Sequence, residues 1–205
     1  WATINGTSLA FYSSANGVYA GSMAETGVAA RGNDPAAVIP NNAGVSAVIN
    51  QAGVSGPIAL EAVWTNRVLE VRQETEYAST VAMSNSVANK TLQTSRLVIK
   101  EGKASLTVGE AENFRGTLTA LAPGGVLALE NQNPAAALTV NAAVADNAAA
   151  SALAKYGAGQ VMLTASNSYS GTTVIDAGEL AFGGSSTQAL GGVIARSPYK
   201  EIGWG

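Results

Sequence analysis

The sequence predicts an all-β chain wound into an elongated parallel β-helix. Three observations predict it: a core that must be built from small side chains, a succession of short strands each closed by turn residues, and the recurrence of comparable strands about one coil apart. Of 205 residues, 39 are alanine and 23 glycine, the apolar share is 47% and only 6% are aromatic. Charged residues make up 12%, about half of the usual quarter, so polarity rests on Ser, Thr, Asn and Gly. A narrow coil interior takes small and β-branched residues and keeps charge outside, which is the demand this composition meets.

The strands follow in order. Across residues 1–60, turn signals at Asn5-Gly6, Asn16-Gly17, Gly32-Asn33-Asp34-Pro35 and Pro40-Asn41-Asn42 separate brief apolar runs at 9–12, 18–20, 37–39 and 45–49. These runs are too short for helices, and the segment reads as an irregular N-terminal β region or cap. A solenoid is expected over 61–190. There Leu69, Val71, Gln73, Thr75 and Tyr77 alternate with Glu70, Arg72, Glu74 and Glu76, the period of a strand with one wet face. Further strands are expected around Leu97-Val98-Ile99, 104–108, 117–121, Val126-Leu127-Ala128-Leu129 and Leu138-Thr139-Val140. Val161-Met162-Leu163-Thr164, Thr172-Thr173-Val174-Ile175 and Glu179-Leu180-Ala181-Phe182 continue the series. The Ala-rich stretch 141–155 allows two readings: a helix capped by Asp146 or Asn147 and ending at Gly157, or an extension of the preceding strand.

Comparable strands recur at intervals of about 17 to 23 residues, as between Leu106 and Leu127, Leu118 and Leu138, Val140 and Leu163, and Leu163 and Leu180. At about 21 residues per coil the chain would make roughly ten rungs rising about 47 Å.

The same composition excludes several functions. The chain has neither Cys nor His, which removes thiol nucleophiles, disulfides, Cys/His zinc sites and Ser-His-Asp catalysis. A net charge of −3 gives no footprint for nucleic acid. No apolar run is long enough for a membrane-spanning helix, so membrane insertion is not expected. A first residue of Trp1 rather than Met reads as a mature or excised form. Glu74 with Glu76, or Glu110 with Glu112, would lie about 6.6 Å apart on one strand face, a spacing a glycosidase can use. Arg72 beside the first pair argues for a solvated face instead. Arg67, Arg72, Arg96 and Lys100 are scattered without the carboxylate cluster of a calcium-dependent lyase. The triplets Asn5-Gly6-Thr7 and Asn89-Lys90-Thr91 fit a glycosylation acceptor but arise readily by chance in so polar a chain. No catalytic, cofactor-binding or metal-binding residue is expected.

One segment is distinctive. Leu153-Ala154-Lys155-Tyr156-Gly157-Ala158-Gly159-Gln160-Val161-Met162-Leu163-Thr164, followed by Asn167-Ser168-Tyr169-Ser170-Gly171-Thr172-Thr173-Val174-Ile175-Asp176-Ala177-Gly178-Glu179-Leu180, closely resembles the autotransporter-associated β-strand repeat. The opening residues 1–7 are also similar, more loosely, to the start of a passenger region. The resemblance implies a right-handed parallel β-helix in an extracellular or surface-displayed bacterial protein, and it implies no catalytic residue. Its motif residues Lys155, Gly157, Gly159, Asn167, Tyr169, Gly171 and Gly178 read as structural. The glycines suit corners needing positive φ or close backbone approach, Asn167 suits a turn and a ladder between rungs, and Tyr169 suits a cover over the corner.

Residues 191–205 depart from the repeat style and read as a C-terminal cap or docking tail, with Trp1, Tyr199, Ile202 and Trp204 as candidate self-association residues. Solenoid ends expose unpaired strand edges, and a contact between unlike ends can propagate. The expected role is a non-enzymatic extracellular structural protein, a surface or filament subunit forming a homo-oligomer or polymer. The alternative is an adhesin whose lateral face binds a glycan or host surface.

Overall fold

The computed structural model describes residues 2–5, 8–13, 17–22, 25–27, 38–39, 41–49, 57–62, 64–85, 88–110, 115–183, 193–195 and 202–204, with backbone pairing alone at 2–27, 38, 84–85, 88, 193–195 and 202–204. The described elements are strands, and the larger sheets are parallel. In the longer sheet, Glu25–Gly27, Asn42–Ile49, Thr65–Gln73, Thr91–Ile99, Val126–Asn131, Ala152–Tyr156, Thr173–Ile175 and Val193–Ala195 are successive neighbours. A second sheet runs Ser79–Val81, Leu106–Val108, Ala137–Val140, Gln160–Leu163, Glu179–Phe182 and Ile202–Trp204. From Thr65–Gln73 on, the chain alternates between the two and returns one strand further along each time, which is a parallel β-helix. Before that, Val38–Ile39 and Ala59–Leu60 pair in parallel between the strands of the longer sheet. An antiparallel sheet of Ala2–Asn5, Ser8–Ser13 and Gly17–Ser22 precedes the coil.

The longest strands serve two faces. In Thr65–Gln73 the inward side chains are Asn66 and Val68, then Val71 and Gln73; in Thr91–Ile99 they are Leu92 and Thr94, then Leu97 and Ile99. A jump of three in place of two marks a bend. It corrects the simple alternation expected from Leu69 to Tyr77, because Val68 is buried while Leu69 is 37% and Tyr77 60% exposed. One rung later the bend opens into a loop: Thr117–Ala120 continues the first half of the strand before it, and Val126–Asn131 the second half.

Coil length varies more than the sequence implied. Val71 pairs with Leu97, Leu97 with Leu129, and Lys155 with Ile175, so the coil is longest in the middle of these three and shortest in the last. Val140 does pair with Leu163. Leu106 pairs with Leu138 rather than stacking on Leu127, Leu118 pairs with Val144 rather than Leu138, and Leu163 faces Phe182. Loops of unequal length between faces cause these shifts. Among the described residues the longer sheet runs through eight successive strands, about 34 Å at ~4.8 Å per step. The Ala-rich stretch is strand at Ala143–Ala145 and Ala152–Tyr156, with a loop between and no helix.

Inward columns such as Val81, Val108, Val140, Leu163 and Phe182 are each buried and stack in register. Each such side chain contributes about 1.5–3 kcal/mol. No helix among the described residues is long and apolar enough to cross a membrane.

Candidate functional site

The chemistry of this molecule concentrates where the coil leaves the longer sheet for the second one. Lys155 ends the inward row Leu153, Lys155 of its strand and is fully buried. Its Nζ donates to three carbonyls, those of Tyr156 (2.8 Å), Gly157 (2.6 Å) and, one rung on, Ala177 (2.9 Å). Three donors meet three acceptors, so the ammonium is satisfied without a carboxylate in contact. Burial pulls its pKa down to about 8, and the charge of Glu130 pulls the other way.

The same corner carries related devices one and three rungs earlier. Asn131 is buried, and its Nδ2 donates to Ala136 O in its own turn (2.7 Å) and to Gln160 O of the next rung (2.8 Å), while its Oδ1 accepts from Asn133 N (3.0 Å). Gln73 is buried likewise, and its Nε2 donates to Tyr77 O (2.8 Å) and Ser105 O (3.3 Å). Each side chain ties its own turn to the corresponding turn one coil further. The sequence placed Gln73 on the same strand face as Val71 without giving it a role, and did not mark Asn131. The available signal was an amide continuing an inward apolar row, after Val71 in one case and after Leu127 and Leu129 in the other.

The structure gathers the motif residues around this staple and the next corner. Gly157 has φ +79°, and a Cβ there would collide with the Asn131 carbonyl directly beneath. Gly159 passes against Asn131 and Asn133, Gly171 against Ser151, and Gly178 against the carbonyls of Gly157 and Gly159. Asn167 Oδ1 accepts from Val144 N of the preceding rung (2.8 Å), and its Nδ2 donates to Ala165 O (3.0 Å). Tyr169 is 1% exposed, so its ring fills the coil interior where the sequence had suggested a cover over the corner. Its hydroxyl pairs with Thr173 Oγ1 at 2.8 Å, and burial raises its pKa. Nearby, Asp146 accepts from Ser151 N (2.8 Å), Ser170 N (3.0 Å) and Ser170 Oγ (2.7 Å), which holds its pKa below the usual carboxylate range.

Other residues raised by the sequence lie apart from this corner. Glu74 Oε1 is 3.3 Å from Arg72 Nε, and Glu76 is exposed. Arg72 also meets Glu70 at 3.3 Å, and Arg96 meets Glu130 at 3.4 Å. Among the described residues no group of three or more Asp, Glu, His or Cys side chains comes together. Ile202 and Trp204 stand in the last strand, in register with Leu180 and Phe182. Trp1, Tyr199 and Glu112 lie outside the described residues.

Comparison with known proteins bears on the same stretch. No curated protein and no solved structure matches the chain. Residues 153–182, which hold the Lys155 staple, the Asn167 and Tyr169 corner and all four motif glycines, match the family model of the Passenger-associated-transport-repeat, a β-helix repeat of the autotransporter-passenger type of bacterial surface or secreted protein.

Proposed function

We propose that the chain is a non-enzymatic structural rod displayed on the bacterial cell surface, a subunit that associates with its own kind through an end of the solenoid. The observation that carries this reading is how the buried polar side chains are used. Lys155, Asn131, Gln73 and Asn167 spend their hydrogen bonds on backbone groups of their own and neighbouring turns, and such bonding stiffens a coil rather than preparing a reacting group. The match at 153–182 supports surface display. Self-association is supported by the last strands of the two sheets, Val193–Ala195 and Ile202–Trp204, each of which has a sheet partner on one side only among the described residues.

Negative-stain microscopy and sedimentation over a hundredfold concentration range test this. Particles lengthening in whole multiples of one rod support end association, and Trp204→Lys should keep the rod single. Monomers throughout the range contradict it, as would polysaccharide cleavage lost in Glu74→Gln.

A further inference from the structure

The outward faces of the coil use their polar side chains in two different ways. On the face formed by the second halves of the long strands, Glu70, Arg72, Glu74, Arg96 and Glu130 are joined by ion pairs, and Gln132 Nε2 donates to Glu130. That face is satisfied by itself. The face formed by the first halves differs. Thr65, Thr91 and Thr117 stand in one column by register, and Arg67 and Gln93 in the next. All five side chains alternate with inward ones, and Thr65 and Arg67 are exposed. Gln93 Nε2 donates to Asn147 Oδ1 at 3.5 Å, and Thr119, next in its column, is buried, so the open part of this face is the threonine column with Arg67 beside it. Among the described residues the three threonine hydroxyls make no hydrogen bond and the Arg67 guanidinium no ion pair. At the margin of this face Trp64 is 65% exposed, the most exposed large apolar side chain described.

We infer that this face binds a neutral polysaccharide chain lying along the rod. A neutral sugar offers hydroxyls that both donate and accept, which is what threonine hydroxyls and an unpaired guanidinium can meet. It also offers an apolar C–H face, which an exposed indole can cover. Carboxylates are missing from the two columns, and Arg67 is their one charge, so the surface is matched to a ligand with hydrogen-bonding capacity and no charge. The step between column positions, about 4.8 Å, is close to the length of one pyranose ring, so successive sugars meet successive rungs. The inference is independent of end association, since it uses the side of the coil and not its ends.

The test uses the whole chain with immobilised neutral glucan, mannan and galactan, and heparin as a polyanion control. Retention on at least one neutral polysaccharide is expected. Trp64→Ala should weaken it at least tenfold and the pair Thr91→Val with Thr117→Val severalfold, at unchanged urea midpoints, while Glu74→Gln on the self-satisfied face should leave it unaltered. Three results would overturn the inference: no retention on any neutral polymer, retention on heparin alone, or retention indifferent to Trp64→Ala. Sedimentation of the same variants reads end association separately, so either reading can fail alone. If Trp64→Ala instead abolishes self-association and no sugar is bound, the face is a contact between copies and the inference is wrong.

Discussion

Lys155 is the residue where the physical cost of this architecture is most concentrated. A buried ammonium is tolerated because three carbonyls converge on it. Lys155→Met keeps the volume and leaves those carbonyls without a donor, so it should cost about 3 kcal/mol in urea unfolding. The pH dependence follows from the same burial. With a folded pKa near 8 and an unfolded one near 10.4, the folded chain binds fewer protons in that window. The cost of the buried charge is therefore fully present below pH 8 and is relieved as pH rises toward 10.4. Stability contributed by this group should climb across that window, and the climb should vanish in Lys155→Met. Tyr169 works in the opposite sense, because its folded pKa is raised. It subtracts stability as pH rises beyond the unfolded value near 10, and Tyr169→Phe should remove that fall. At the acid end, the lowered pKa of Asp146 means that its contribution is present above the ordinary carboxylate range and is lost as pH falls through the folded value. Asp146→Asn should flatten that part of the curve.

At the scale of the element, corners decide more than strands do. Gly157 combines φ +79° with a backbone carbonyl where a Cβ would go, so Gly157→Ala should cost at least about 3 kcal/mol and loosen the turn above Asn131. Ala148 is the reverse case, a non-glycine residue at φ 57° in an exposed loop. The left-handed conformation costs an L residue about 1–2 kcal/mol, more than the chain entropy of glycine, so Ala148→Gly should gain about 0.5 kcal/mol by thermal unfolding. The strands themselves were legible in sequence, since Leu138-Thr139-Val140 and Val161-Met162-Leu163 announce a period of two between turn residues. The bends at Val68–Val71 and Thr94–Leu97 were not, because a jump of three inward positions inside one strand leaves composition and propensity unchanged. The staples were half legible: Lys155 stood in a recognised motif, but which carbonyls a side chain reaches depends on the neighbouring coil, and local sequence does not state it.

For the whole molecule, the coiled parallel architecture followed from small side chains and recurring strands, while the register did not. Coils as unequal as those from Leu97 to Leu129 and from Lys155 to Ile175 defeat a search for one period, since each surface loop sets its own length at little thermodynamic cost. Stability in such a stack is a sum over rungs and their interfaces. A weakened staple between the rungs of Lys155 and Ala177 should therefore expose the amides of Glu179–Phe182 to hydrogen exchange before those of Leu106–Val108. The central claim is that each turn lies on its predecessor in this register, and a chain without cysteine allows a direct measurement. Thr107 and Thr139 are register partners on neighbouring rungs, and strands spaced at about 4.8 Å fall within the Cα separation a disulfide accepts. Thr107→Cys with Thr139→Cys should close to a disulfide under mild oxidation in the folded protein. Thr107→Cys with Ala128→Cys, the pair that a coil of uniform length would stack, should stay reduced. Closure of the second pair and not the first would contradict the account.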